Sequence, residues 1–288
     1  MNKRKIRVFD LFNMIFFGLF ALLCLYPFLN QLLISLASPA DYLNAKLLPI
    51  PYHFNLESYK FVLFQNHIGS AFLISIGLTV VGTGVNMLMT ILGAYVLGKE
   101  GLPGRKIFFY LILFTMFFGG GLIPFYITVR NLGLAGSLAS LVLPFSINTF
   151  NMIILRNAFT AIPKEIYEAC EVDGATDFTI LFVFVVPMSI TGIATVALFY
   201  LVERWNDWYW PMLFIHDSEL FPLALELRNI LSYNQSTSGG SGQLNPALMF
   251  SEGQKAATII VSIIPILCVY PFIQKYFVKG LMLGSVKG

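Results

Sequence analysis

Stretches without Asp, Glu, Lys or Arg recur along the chain at Leu11 to Ala40, Phe61 to Gly98, Ile107 to Val129, Asn131 to Leu155, Phe178 to Val202 and Ala256 to Gln274. Each is apolar and long enough to span a bilayer as a helix. About 20 apolar residues cross the roughly 30 Å hydrocarbon core, and a helix keeps its backbone hydrogen bonds internal there. The pattern predicts an all-α integral membrane protein with six transmembrane helices, at about 11–35, 69–98, 107–129, 138–157, 178–203 and 256–276 of a single domain covering 1–288. A seventh uncharged window, Asn229 to Ser251, is full of Asn, Gln, Ser and Gly. Lack of charge is not apolarity, so this window is expected to be aqueous loop.

Composition agrees with lipid as the solvent. The 288 residues are 57% hydrophobic and 11% charged, with a mean hydropathy of +0.76. That is about half the usual charged fraction, too little to cover a soluble domain, so a disordered chain and an ordinary soluble enzyme are excluded. The net charge of +3 follows from where Lys and Arg are placed and implies no nucleic-acid partner. With the N-terminus inside, one side holds Lys3, Arg4, Lys5, Arg7, Lys99, Arg105, Lys106, Arg156, Lys164, Lys275, Lys279 and Lys287. The other side holds Lys46, Lys60, Arg130, Arg204, Arg228 and Lys255. Twelve against six predicts both termini in the cytoplasm. MNKRKIRVFD followed by an apolar run has the look of a signal peptide. Leu11 to Ala40 is longer than a signal h-region and lacks a small-residue cleavage site, and is read as the first span.

Candidate chemistry is sparse. GAYVLGKE, at Gly93 to Glu100, follows a phosphate-binding loop for seven positions but has Glu100 where Ser or Thr must meet magnesium. It also ends an apolar helix rather than following a strand, so ATP binding by this chain is not expected. His53, His67 and His216 fall in or near outer loops and are read as solvated or capping residues. Cys24, Cys170 and Cys268 are too isolated for a zinc site or disulfide framework. An ion-coupled secondary transporter should place ionisable residues at mid-membrane, and an intramembrane enzyme needs a nucleophile and base or metal ligands there. The six windows offer neither.

Between the fourth and fifth windows lies Ile162 to Pro187, IPKEIYEACEVDGATDFTILFVFVVP. Pro163 suits the first turn of a helix, and Glu165, Glu168 and Glu171 recur every three residues as one acidic stripe. Gly174 is placed to close that helix in a left-handed conformation, and Thr176 or Asp177 to cap the next. Glu168, Ala169 and Cys170, then Gly174, then Phe184, Val186 and Pro187 resemble the EAA motif of ATP-binding-cassette importer permeases. Cys170 stands for the second Ala, Phe184 for Ile and Val186 for Leu. GGLIPFYITVRNLGL, LRNAF, the WND at Trp205 to Asp207 and the ending KGLMLGSVKG extend the resemblance over most of the chain, to the carbohydrate, maltose-type permeases. Within them it is most similar to the second permease of complex-oligosaccharide importers such as alginate-oligosaccharide transporters.

The resemblance implies a type I importer permease of MetI-like fold in a bacterial cytoplasmic (inner) membrane, with a cytoplasmic coupling helix at about 163–174. It implies ATPase coupling through Glu165, Glu168, Ala169, Cys170, Asp173 and Gly174, with Glu168 as the contact, Ala169 and Cys170 small enough for close approach, and Gly174 making the bend. No cofactor is expected on this chain; ATP and magnesium belong to partner subunits. Those partners are a second permease subunit, two ATP-binding-cassette ATPase subunits and an extracytoplasmic sugar-binding protein, besides membrane lipid.

An outer loop is expected at about 204–255, opening with RWNDWYWP. Its Trp205, Trp208 and Trp210 are all the Trp of the chain. They fit an interfacial aromatic belt, and equally a sugar path in which indole faces cover ring faces while Asn206 and Asp207 hydrogen-bond. Arg204, Trp205, Asn206, Asp207, Trp208 and Tyr209 are the path candidates. Arg204 either neutralises Glu203 or, like Arg130 and Arg228, meets carboxylates of a uronic-acid substrate. YNQSTSGGSGQLNP, at Tyr233 to Pro246, has the composition of a flexible loop, and the resemblance gives it a role inside the opened binding protein. Pro27, Pro124, Pro144, Pro187 and Pro265 are candidate kinks, and Gly119 to Gly121 a flexible point. Asn86, Asn148, Asn151 and Asn157 suit either a pathway or interhelical hydrogen bonds.

Overall fold

A computed structural model of the protein describes residues 8–44, 49–52, 54–60, 62–63, 68–237, 252–268 and 271. Among these residues every regular element is helical. Two unbroken helices are long and apolar enough to cross a membrane: Leu11–Leu36 of α1 (Val8–Leu36), and α4 (Ile68–Gly98). Short α2 (Pro39–Asn44) and α3 (Glu57–Lys60) lie between them. Pro27 lies inside α1 without ending it.

The windows 107–129, 138–157 and 178–203, expected to be one helix each, are instead broken pairs. α5 (Arg105–Phe117) and α6 (Leu122–Asn131) meet at 114°. The break is at Phe118 to Gly121, where Gly121 has φ 86°, a value that favours glycine. 3-10 turns at Leu138–Leu141 and Leu143–Phe145 lead, with a 48° bend, into α7 (Thr149–Thr160). Pro144 sits within the second of those turns. After α8 (Lys164–Val172) comes α9 (Asp177–Thr179), a π-helical stretch at Ile180–Val185, and α10 (Val186–Met188). An 85° bend at Ser189 then leads into α11 (Ile190–Asn206). Pro187 has no N–H for the turn before it, and π-helical turns accommodate such a defect. Counting each pair as one span gives up to five by length and composition. For the sixth window, helix is described over 252–268, and most of its remainder lies outside the described residues.

The outer segment 204–255 is a further departure from expectation. α12 (Tyr209–Phe214), a 3-10 turn at Ser218–Leu220 and α13 (Leu223–Thr237) occupy its first part. Asn229 to Thr237, expected to be loop, is therefore helical. Leu223 and Leu225 bury their side chains, the Leu223 N–H donates to Ser75 Oγ at 2.8 Å, and the Leu225 and Glu226 amides donate to the Pro222 carbonyl. These anchors start a helix that polar composition alone conceals. Residues 238–251, holding most of the proposed binding-protein loop, lie outside the described residues, as do His53, His67 and the KGLMLGSVKG ending.

The chain divides into two compact units. The first comprises residues up to Gly69 with Leu227–Ile264. In it Ser35 Oγ and the Tyr59 hydroxyl share a 2.7 Å hydrogen bond, and a Cβ on Gly253 would come within 2.7 Å of Ser58 Oγ. Apolar side chains on several sides of α1, among them Phe12, Phe16, Phe20 and Leu23, are more than half exposed.

The second unit, Ser70–Glu226 with Pro265–Gly288, is built around α4. One core joins Ala94, Tyr95 and Leu97 of α4 to Met152, Leu155 and Phe159 of α7, Cys170 of α8, Ile180 and Leu181, and Val196 and Tyr200 of α11. A second joins Leu78 to Val129, Leu141, Val142, Phe214 and Ile215. Where α7 meets α11, a Cβ on Gly192 would lie 2.8 Å from that of Ala158, so glycine permits the approach.

Candidate functional site

α8 takes its form from its own ends. Pro163 precedes it in extended backbone, and Glu165 lies in its first turn, where a carboxylate suits the helix dipole. At the other end the Ala175 N–H donates to the Cys170 carbonyl and the Gly174 N–H to that of Glu171, while Gly174 takes φ 77°. These two bonds are a Schellman closure, which favours glycine at this position. Thr176 then starts the next helix by accepting from the Thr179 amide.

Ile166, Tyr167 and Cys170 turn toward the core, while Glu165, Glu168, Ala169 and Val172 share the outward face at helical spacing. Cys170, expected at a docking surface, is buried in the unit's own core. Val172, which the sequence did not single out, is 87% exposed and places an apolar side chain beside Glu168 and Ala169. Asp173 and Gly174 are exposed at the closing turn. The acidic stripe divides: a spacing of three falls short of a helical turn, and Glu171 rotates off the Glu165 face toward Lys99.

Lys99, just past α4, lies 2.5 Å from Asp177 and 3.6 Å from Glu171, and Lys164 pairs with Glu100 at 2.6 Å. The hydrogen bond to Asp177 raises the Lys99 pKa, and that from Lys164 lowers the Glu100 pKa. Arginines cap the carbonyls at the end of α4 and just past it: Arg156 Nε donates to Leu97 at 3.0 Å, and Arg105 Nη1 donates to Gly98 and to Lys99. Arg156 also stacks over the Phe109 ring, 4.8 Å from its centroid. Gly93 to Gly98 are thus the helical end of α4, not a phosphate loop. Between α8 and the ends of α4 and α7 is a cavity of about 220 Å³ with Tyr95, Lys99, Thr160, Tyr167 and Glu168 among its lining residues.

The second set of candidates separates at the end of α11. Arg204 and Trp205 are buried, whereas Asn206, Trp208 and Tyr209 are exposed and Asp207 is half-buried. Trp205 packs edge-on against Phe72. Asn206 donates to the Val202 carbonyl, and Asp207 accepts from the Trp210 N–H at the start of α12. Trp210 packs on Phe125, Phe145 and Phe214, leaving Trp208 and Tyr209, in edge-to-face contact, as the outward rings. Arg204 does not pair with Glu203: its Nη1 donates to the Leu141 carbonyl at 2.6 Å, and its Nη2 to the Phe145 carbonyl at 3.0 Å and Asn86 Oδ1 at 3.3 Å. Asn86 and Asn148 make contacts between segments, Asn151 is buried, and Asn157 is exposed. No cluster of three or more His, Cys, Asp or Glu suited to a metal occurs among the described residues.

Comparison with known proteins accounts for nearly the whole length. Residues 105–282 match the family model described as "Binding-protein-dependent transport system inner membrane component". The polygalacturonan/rhamnogalacturonan transport system permease protein YtcP of Bacillus subtilis is 40% identical, over 99% of this chain and 100% of its own. Protein LplC of the same organism is 38% identical, over 100% of this chain and 97% of its own. A chain of a bacterial ABC transporter involved in the import of the acidic polysaccharide alginate superposes with a TM-score of 0.85 at 32% identity, covering 96% of this chain and 99% of that one.

Proposed function

The chain belongs to the family of binding-protein-dependent transport system inner membrane components, and from that premise we propose that it is a permease subunit of an ATP-driven importer of acidic oligosaccharides. The reading that α8 docks on an ATPase subunit is carried by one observation: its outward face offers Glu165, Glu168, Ala169 and Val172 from a helix fixed at both ends. Glu165 and Glu168 form no ion pair among the described residues, so both carboxylates are available to cationic side chains of a partner. Ala169 permits close approach, Val172 adds an apolar contact, and Gly174 makes the turn that returns the chain to the bundle.

Two cytoplasmic ATPase subunits, binding ATP and magnesium themselves, close and displace α8. Through α7 and the capped end of α4 that displacement reaches the spans, which swing outward as an extracytoplasmic binding protein delivers sugar. A second permease subunit completes the path, and lipid covers the remaining apolar surface. Differential contacts at the two ends drive the switch, as any ligand-driven equilibrium requires.

The substrate class follows from relatives named for polygalacturonan/rhamnogalacturonan and alginate transport, whose polymers carry uronate carboxylates. Trp208 and Tyr209 supply exposed ring faces for sugar, and Arg130, exposed at the end of α6, supplies a guanidinium. Arg204 is committed to main-chain carbonyls and does not serve as the carboxylate ligand.

The test is uptake of trigalacturonate, an alginate trimer and maltotriose by the complete complex in vesicles, with ATP hydrolysis followed in parallel. Glu168→Ala is expected to leave the complex assembled while uptake and binding-protein-stimulated hydrolysis fall together. Unchanged activities would remove α8 from coupling, and preferred uptake of maltotriose would overturn the acidic substrate.

A further inference from the structure

Four buried polar side chains surround the point where the broken fourth span restarts as a helix. Asn86 and Thr90 lie four residues apart on α4, and Tyr200 and Arg204 four apart on α11, so each pair shares a helix face. Arg204 is 9% exposed, and Asn86, Thr90 and Tyr200 at most 1%. The pairs meet in order: Arg204 Nη2 donates to Asn86 Oδ1, and the Tyr200 and Thr90 hydroxyls share a 2.8 Å hydrogen bond.

Both rungs also reach the break. Asn86 Nδ2 donates to the Phe145 carbonyl at 2.6 Å, beside the two Arg204 bonds to Leu141 and Phe145. One helical turn away, the Tyr200 hydroxyl accepts from the Asn148 N–H at 3.0 Å. Asn148 caps α7 by accepting from the amides of Phe150 and Asn151. Polar groups of the break that a continuous helix would satisfy internally are satisfied here from α4 and α11. Arg204 makes no ion pair among the described residues, and a buried cation persists only where such hydrogen-bond partners surround it.

α7 begins at this clasp and leads directly into α8, with only Ala161 to Pro163 between. We propose that Asn86, Thr90, Tyr200 and Arg204 are positioning residues that hold the start of α7 to α4 and α11, so that movement of α8 is transmitted to the path as a swing of α7 about this joint. The proposal rests on the reading of α8 as the ATPase contact. It assigns Arg204 to transmission rather than substrate binding. Small displacements at one end become discrete changes because a hydrogen-bonded polar set rearranges as a unit.

Tyr200→Phe, Thr90→Val and Arg204→Met test it in the complete reconstituted complex with its binding protein, using trigalacturonate and maltotriose as probes. The ratio of ATP hydrolysed to sugar imported is the readout, with KM for sugar measured alongside on whichever probe the parent imports. Loosening the clasp is expected to raise that ratio about fivefold or more, within the range of coupling changes produced by single substitutions. KM should stay within about twofold, since no substrate contact is lost. Ile215→Val, a change in the second core and outside both the clasp and the α7–α8 contact, should keep the parent ratio even where it lowers thermal stability. If Arg204→Met fails to assemble, Tyr200→Phe and Thr90→Val decide, because each abolishes a hydroxyl with little change of volume. A parent ratio in both hydroxyl variants, or a rise in KM alone, overturns the proposal. A parent complex whose hydrolysis ignores the loaded binding protein, or a Glu168→Ala variant with normal coupling, identifies failure of the α8 reading itself.

Discussion

At the start of α7, Asn86, Thr90, Tyr200 and Arg204 make their bonds in a buried interior. Beyond its end, the charges of Lys99, Glu100, Lys164, Glu171 and Asp177 meet in water, with side chains 37% to 68% exposed. Exposed ion pairs contribute little net stability and weaken with salt. Their partners can exchange during a cycle at little cost. Losing a partner in the interior leaves a desolvated group, at roughly 1–3 kcal/mol and more for a charge. In the proposed cycle the same lever is thus held loosely where a partner would dock and tightly where its motion would be converted.

Asn86 is where the buried joint is most easily broken. Asn86→Leu removes one donor from Phe145 and deprives Arg204 Nη2 of one of its two acceptors. A loss of about 1–3 kcal/mol is expected, because the buried guanidinium keeps its bonds to Leu141 and Phe145 but loses one acceptor. It should appear as the largest fall in apparent melting temperature of the purified complex. Asn86→Asp keeps an acceptor for Arg204 but sets a carboxylate oxygen against the Phe145 carbonyl, so it should recover only part of that loss. Equal falls for Leu and Asp would mean that volume, not polarity, matters there.

Gly174→Val comes next. At φ 77° a β-branched residue is strained by about 1–2 kcal/mol, with no side-chain crowding to add to it, since nothing lies within 4 Å of a Cβ there. The strain falls on the α8 closure alone. Stimulated ATP hydrolysis should therefore drop further than thermal stability does, and Gly174→Asn should restore most of it, because Asn tolerates the left-handed region. A parent-like hydrolysis rate in Gly174→Val would show that the closing turn is not part of transmission.

These two regions differ also in what their sequences disclosed. Pro163, Glu168, Gly174 and Thr176 declare α8 and its ends, because caps and closing turns depend on local chain geometry. The clasp joins positions as far apart in sequence as Asn86 and Arg204, and a lone polar residue in an apolar run does not specify its partner. Arg204 was open to a substrate role for that reason. The bends were foreshadowed by Gly119 to Gly121, Pro144 and Pro187, but Pro27 lies inside an unbroken helix, so proline alone does not fix where a span breaks. α13 was hidden because uncharged polar residues composed its second half while two buried leucines held its first. Glu171 left the stripe because three residues are less than a turn.

Lys99→Met addresses the loose end. Removing a pair that is over a third exposed on both sides should cost about 1 kcal/mol or less. The Asp177 hydrogen bond raises the Lys99 pKa, so its contribution is complete below the ordinary lysine range and disappears as pH rises through the folded value. The difference between variant and parent melting temperatures should shrink when salt is raised from about 0.05 M to about 0.5 M. A salt-independent difference would instead locate the effect in packing of the lysine stem.

The smallest effect is expected at Glu100, whose pairing with Lys164 joins the turn after α4 to the first residue of α8. The Lys164 hydrogen bond and charge, with a further contribution from Arg105, hold this carboxyl below its usual range. A lowered carboxyl pKa contributes stability above the unfolded value and loses it as pH falls through the folded one. Hydrogen exchange of the α8 amides should be slightly faster in Glu100→Gln than in the parent near pH 7, with the two converging once acid has neutralised the parent carboxyl. Because both side chains are mostly in water, high salt should reduce the difference at neutral pH as well. A difference that persisted in acid would mean that the turn is held by shape rather than charge, and would move it toward the clasp's class of contact.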